Sequence, residues 1–68
     1  MDDTRAYLTQ SELILNWLLT GKTLTPMEAL REFGCFRLAA RIGELRECTE
    51  IHSRIESKRG RRYAVYWI

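Results

Sequence analysis

The sequence contains no apolar run near the roughly 18 residues that a membrane span needs, and its start, MDDTR, is acidic where a secretory leader is basic. These two absences predict a cytoplasmic protein with no membrane partner. Histidine occurs once, as His52, and cysteine twice, as Cys35 and Cys48. That set does not form the paired spacing of a zinc site, so no metal is expected. Two cysteines without a secretory signal are expected as reduced, small, buried side chains rather than a disulfide. A Ser/His/Asp set and a phosphate-cradling glycine loop are also missing, which argues against an enzyme, a cofactor or a small-molecule substrate. Linkers, internal repeats and low-complexity tracts are absent, and 68 residues suffice for one small domain.

What is present is enough to fold. Hydrophobic residues make up 46% of the chain and aromatics 10%, ordinary values for a globular protein. The net charge of +2 conceals an asymmetry. Residues 1–36 carry three basic and five acidic side chains, whereas residues 37–68 carry eight basic and four acidic ones. The second half is therefore the half suited to a polyanion.

Local grammar divides the chain. In LTQSEL, Thr9 is positioned as an N-cap with Glu12 completing a capping box and Leu8 stapling onto Leu13. The first helix is expected to run to about Thr20, with Gly21 closing it in a left-handed conformation. Lys22 to Leu24 reads as a small edge strand or a simple connection. In TPME the box recurs with Thr25, Pro26 at the first helical position and Glu28, opening a helix that carries Ala29, Leu30 and Phe33 on one side and stops at Gly34. A third helix is expected from near Cys35 or Phe36 to about Glu47. At 100° per residue, Leu38, Ile42 and Leu45 share its inner sector, while Arg37, Ala40, Arg41 and Glu44 take the opposite and adjacent face. Gly43 lowers the stability of that helix, so a tight contact is expected there.

From Ile51 the period becomes two: Ile51, Ser53 and Ile55 alternate with His52, Arg54 and Glu56, and RYAVYWI is β-branched and aromatic. The hairpin so formed has Lys58, Arg59, Gly60, Arg61 and Arg62 at its tip. Tyr63, Tyr66 and Trp67 are expected as core and sheet-face residues rather than base-stacking platforms. The predicted fold is mainly α with a C-terminal β-hairpin: three helices and a small antiparallel sheet of two or three strands. Residues 1–8 form an N-terminal arm and residues 9–68 the domain.

Two short helices joined through a glycine turn, followed by a basic hairpin, match a winged helix-turn-helix, in which the last helix enters the DNA major groove. Arg37 and Arg41 are then candidates for guanine edges or phosphates, and Ala40 for a thymine methyl or close approach. Glu44 either accepts from a cytosine amine or pairs with Arg41 or Arg37 along the helix. Arg46 points sideways and is read as structural. Lys58, Arg59, Gly60, Arg61 and Arg62 suit phosphates or a narrow minor groove, the alternative being a solubilising turn. Lys22 and Thr25 are further candidate phosphate contacts beside the second helix's N-terminus.

The stretch TGKTLTPMEALREFGCFRLAARIGELRE, residues 20–47, resembles a family of small helix-turn-helix domains met mostly in bacteriophage and prophage genes. In that family TP.EAL precedes a glycine turn and RLAARI..LR follows it. The resemblance implies a winged-helix module binding double-stranded DNA, with Arg37, Arg41 and Glu44 on the recognition helix. The interval from Ala29 to Gly34 is one residue longer than the common alanine-to-glycine spacing, which implies a wider turn. A transcriptional regulator is the leading reading. An architectural, DNA-bending factor of the excisionase kind, or a winged helix that binds an acidic protein, are the alternatives.

The first helix raises one more expectation. Ile14, Leu15 and Leu18 form one apolar face, yet Leu13 and Trp17 form another. Either Leu13 and Trp17, with Tyr7, make a homodimer contact, or Tyr7 and Leu8 fold over Trp17 within one chain.

Overall fold

A computed structural model describes residues 9–68. The elements are α1 (Gln10–Leu19), α2 (Pro26–Phe33), α3 (Leu38–Leu45), β1 (His52–Lys58) and β2 (Arg61–Trp67). Three helices are followed by a two-stranded antiparallel sheet, the arrangement of a winged helix-turn-helix.

The two capping boxes form as their sequences dictate. Thr9 Oγ1 accepts from the Glu12 N–H at 3.1 Å and the Glu12 carboxylate accepts from the Thr9 N–H at 2.9 Å. Thr25 and Glu28 repeat this at 3.2 and 3.0 Å, with Pro26 opening the helix. The staple from Leu8 falls outside the described residues. α1 is closed by Thr20 and Gly21, the latter at φ 89°. α2 is closed by Gly34 at φ 64°, whose N–H bonds Leu30 O at 2.9 Å.

α3 begins later than its charge pattern suggests. Cys35 is buried and its N–H bonds Ala29 O at 3.2 Å, so Cys35 and Phe36 belong to the turn and Arg37 is the N-cap. Arg37 makes no side-chain capping bond, which is why no local signal marks this start. The helix also ends sooner, at Leu45, and continues as turns to Cys48.

The core gathers residues from every element but β1: Ile14 and Leu18 of α1, Ala29 of α2, Leu38 and Ile42 of α3, Tyr66 of β2, with Leu24, Cys35 and Ile51 between them. Cys48 is exposed, contrary to the expectation of a buried thiol, because it lies in the turn beyond α3; both cysteines are free. Leu24 is a one-residue third strand. It exchanges two hydrogen bonds of 2.9 Å with Tyr66 and pairs with nothing else as a strand.

The hairpin pairs His52 with Trp67 through to Lys58 with Arg61. Tyr66 and Ala64 face the helices, but Ile55, opposite Ala64, is 59% exposed. The alternation seen in the sequence is real, yet at this rung the core reaches Ala64 of β2 and not its partner on β1. On the other face His52 stacks on Trp67 at 5.6 Å, and the Arg54 guanidinium lies 5.1 Å from the Trp67 ring while bonded to Glu56. Tyr63 and Trp67 are half-buried, so all three late aromatics serve the sheet or core.

Gly43 contradicts its expectation. A Cβ built there meets nothing within 4 Å, so no tight contact inside the described chain calls for glycine. Trp17 has partners within the described residues. Its indole N–H donates to Thr23 O at 2.8 Å, Phe33 meets it edge-on at 5.7 Å, and the Lys22 ammonium lies 4.4 Å from its centroid. The cover comes from α2 and the α1–α2 turn; Tyr7 and Leu8 lie outside the described residues.

Candidate nucleic-acid interface

The wing begins with its turn. Arg59 and Gly60 are the two residues between β1 and β2, and both have positive φ, 53° and 77°. This is the dihedral pattern of the mirror-image turns whose twist matches a hairpin. Glycine takes it freely, whereas an arginine in the left-handed region costs about 1–2 kcal/mol. Directly below, Lys58 and Arg61 are cross-strand partners, and like charges facing each other in a ladder are destabilising. Lys58, Arg59, Arg61 and Arg62 have no ion-pair partner among the described residues. Considered alone, the tip is a poor design; opposite a polyanion the same four charges become favourable.

The sequence separates the wing from the start of α2, but the fold joins them. Thr25, Pro26, Met27, Glu28 and Arg31 line one wall of an open groove of about 470 Å³, and Lys58, Arg61, Arg62 and Tyr63 line the other. Thr25 thus does meet the wing. Its hydroxyl is occupied, accepting from the Glu28 N–H and donating to the Glu28 carboxylate, so it contributes the helix end rather than a free donor. Lys22 is not brought to this groove and sits over Trp17 instead.

The four α3 candidates separate into two pairs. Arg41 bonds Glu44 at 2.6 Å, and Glu44 also accepts from Ser11 Oγ at 2.8 Å. These side chains line a recess with Thr9, Gln10 and Ser11 at the start of α1. Glu44 thus pairs with Arg41 along the helix. Arg46, on the opposite flank, donates to Ile51 O and Ser53 Oγ, both at 3.1 Å, and lies 6.0 Å from the Tyr66 ring; it is structural. Between these flanks the outward face of α3 consists of Ala39, Ala40 and Gly43, all exposed, with no long side chain. Arg37 is exposed, and its guanidinium has no hydrogen-bond or ion-pair partner among the described residues.

Two features went unread in the sequence. Arg31, on α2, lines the wing groove. Phe36 is 84% exposed and, with Met27 at 61% and Leu30 at 38%, borders a second, shallower groove that shares Pro26 and Met27 with the first. The signal for Phe36 was available, since an aromatic directly before an arginine and outside the Leu38–Ile42–Leu45 sector has no inner partner. Leu30 was expected inside with Ala29; the short α2 buries only Ala29 fully.

Three helices, a one-residue third strand and a basic hairpin define a class of nucleic-acid-binding folds. The chain belongs to the winged helix-turn-helix domain family, whose model matches residues 9–68. Membership in that family points to DNA binding by a domain that is typically not an enzyme. No curated protein and no solved structure matches the chain closely enough to add to this. Among the described residues, no helix is long and apolar enough to cross a membrane, and no group of His, Cys, Asp and Glu is placed to hold a metal ion.

Proposed function

We propose that the chain is a transcriptional regulator of phage or prophage type that binds double-stranded DNA. The outward start of α3 enters the major groove, and the hairpin lies on the phosphates or in the adjacent minor groove. The observation that carries this reading is the hairpin tip, where four cations lack internal partners among the described residues and three of them, Lys58, Arg61 and Arg62, share one groove with the start of α2. The phage or prophage provenance rests on the resemblance of the TPMEAL and RLAARI segments alone.

In this arrangement Arg37 and Ala40 face the base edges, with Ala39 and Gly43 allowing close approach. Lys58, Arg59, Arg61 and Arg62 neutralise phosphates, and Gly60 permits the turn that presents them. Arg31, paired with Glu32 at 3.6 Å, and the start of α2 form the opposite wall of the wing groove. Glu44 ties α3 to α1 by accepting from Ser11 Oγ at 2.8 Å, and Arg41 pairs with Glu44 at 2.6 Å along the helix. One copy is the proposed binding unit, with Trp17 packed against Phe33 and Lys22 within the chain.

The test is a titration of wild type, Arg37→Ala and Arg61→Ala/Arg62→Ala against mixed-sequence duplex DNA from roughly 50 to 200 mM salt. The wild type should lose orders of magnitude in affinity across that range, and the double variant should lower the logarithmic slope by about two. Absence of binding at the low end, or a slope unchanged by the wing substitutions, would refute the reading. Binding to an acidic protein surface with no DNA affinity would identify the protein-interaction alternative.

A further inference from the structure

The DNA reading leaves the most exposed aromatic in the domain unexplained. Phe36 is held outward by its neighbours: Cys35, one residue earlier, is buried and tied to Ala29 O at 3.2 Å, and Leu38, two residues later, is buried in the core. Phe36 and Arg37 are the pair extruded between these anchors, immediately before the first turn of α3. A phenyl ring that is 84% exposed contributes nothing to this fold.

We propose that Phe36 reads thymine, its ring covering the C5 methyl of a thymine in the major groove at the N-terminal end of α3. This assignment rests on the DNA-binding reading above. Three observations support it. Recognition-helix contacts to base edges come from the N-terminal end of the helix, and Phe36 directly precedes the N-cap. The methyl of thymine is the one apolar feature that the major groove presents, and phenylalanine is a side chain suited to it. The grooves beside Phe36 and beside the wing share Pro26 and Met27, so ring and cations lie on one continuous surface.

Charge selects DNA over a second copy of this chain as the occupant. The apolar area of Met27, Leu30 and Phe36 is bounded by Arg37 on one side and by the groove of Arg31, Lys58, Arg61 and Arg62 on the other. Apposing two such faces would bring these cations toward their own counterparts, whereas a duplex brings phosphates to them and a methyl to the ring. Duplex RNA offers neither an accessible major groove nor a C5 methyl on uracil.

The experiment selects bound sequences from a random-core duplex library with wild-type protein. The recovered duplex is then resynthesised with thymine or with deoxyuridine, which differs only by the methyl, at each T of the core. Wild type should bind the deoxyuridine duplex about fourfold more weakly for each methyl that Phe36 covers. Phe36→Ala should bind both duplexes equally, with the wild-type salt slope; Phe36→Leu, which keeps an apolar contact, should retain the thymine preference. Melting curves of the variants establish that they fold. Salt-dependent wild-type binding with no thymine preference would overturn the assignment and leave the DNA reading intact. A preference that survives in Phe36→Ala would pass the role to another residue, Ala40 first. Failure of the wild type to retain any duplex at low salt would overturn the DNA reading, and this assignment with it.

Discussion

Replacing Gly43 with alanine separates what the fold needs from what its partner needs. Gly43 is the sixth residue of α3, its backbone is helical, and a Cβ placed on it meets no atom within 4 Å. Glycine in a helix interior is about 0.5–1 kcal/mol less stable than alanine, mainly because the unfolded chain has more freedom to lose. With no steric term to set against this, Gly43→Ala should stabilise the domain by about that amount, raising Tm by about 2–8 °C for a chain of this size. Thermal and urea unfolding followed by circular dichroism measure it, with an unchanged m-value as the check that the unfolded state is the same. A lower Tm would mean that the methyl meets something at that position and that the account of an open face is wrong. The same variant bears on function: if α3 lies close against a duplex, the added methyl should weaken DNA binding while the free protein gains stability. A stabilised variant with wild-type affinity would place Gly43 outside the contact.

Other substitutions test other joints. Thr25→Ala removes the acceptor for the Glu28 N–H and should cost about 1 kcal/mol in urea unfolding, since the α2 box is intact on both sides. Arg59→Asn places a residue tolerant of the left-handed region at φ 53°; the domain should become more stable by about 1 kcal/mol while the salt slope of DNA binding falls by about one. Arg41→Ala should leave affinity for a selected duplex within about threefold of wild type, because the proposed base contacts come from Arg37 and Ala40 and the Arg41–Glu44 pair that is lost, at 2.6 Å on the helix surface, is worth about 0.2–1 kcal/mol at most. A loss of a hundredfold would restore Arg41 as a base reader.

The features legible in the sequence are those whose physics is local. Both capping boxes, the closing glycines and the hairpin turn involve residues within four of each other, so residue type and spacing suffice to place them. The start of α3 was not legible, because Arg37 supplies no cap and the boundary is set by the Cys35 N–H reaching Ala29 O and by burial of Leu38. The fate of Trp17 depends on Phe33, and that of Glu44 on Ser11, partners far apart in the chain that a helical wheel cannot supply. The wheel showed correctly that Leu38, Ile42 and Leu45 face inward. It showed the direction of Arg41 and Glu44 but not the neighbour waiting there. Ile55 illustrates the converse limit: strict alternation assigns it a face, but only the extent of the helical layer decides whether anything lies beneath.

The single bridge between Leu24 and Tyr66 acts as a fulcrum. The tip at Arg59 and Gly60 is six or seven residues along β2 from Tyr66, an arm of about 20 Å at the rise of an extended strand. Two backbone hydrogen bonds and the Arg46 brace at the base of β1 set the angle of that arm. A rotation of only a few degrees there moves the four tip cations by more than an ångström relative to α3. In the proposed binding mode, the spacing between α3 and the wing would thus be set by the Leu24 backbone bridge and the Arg46 brace, so a change there would shift the wing relative to α3 without altering any residue proposed to touch DNA.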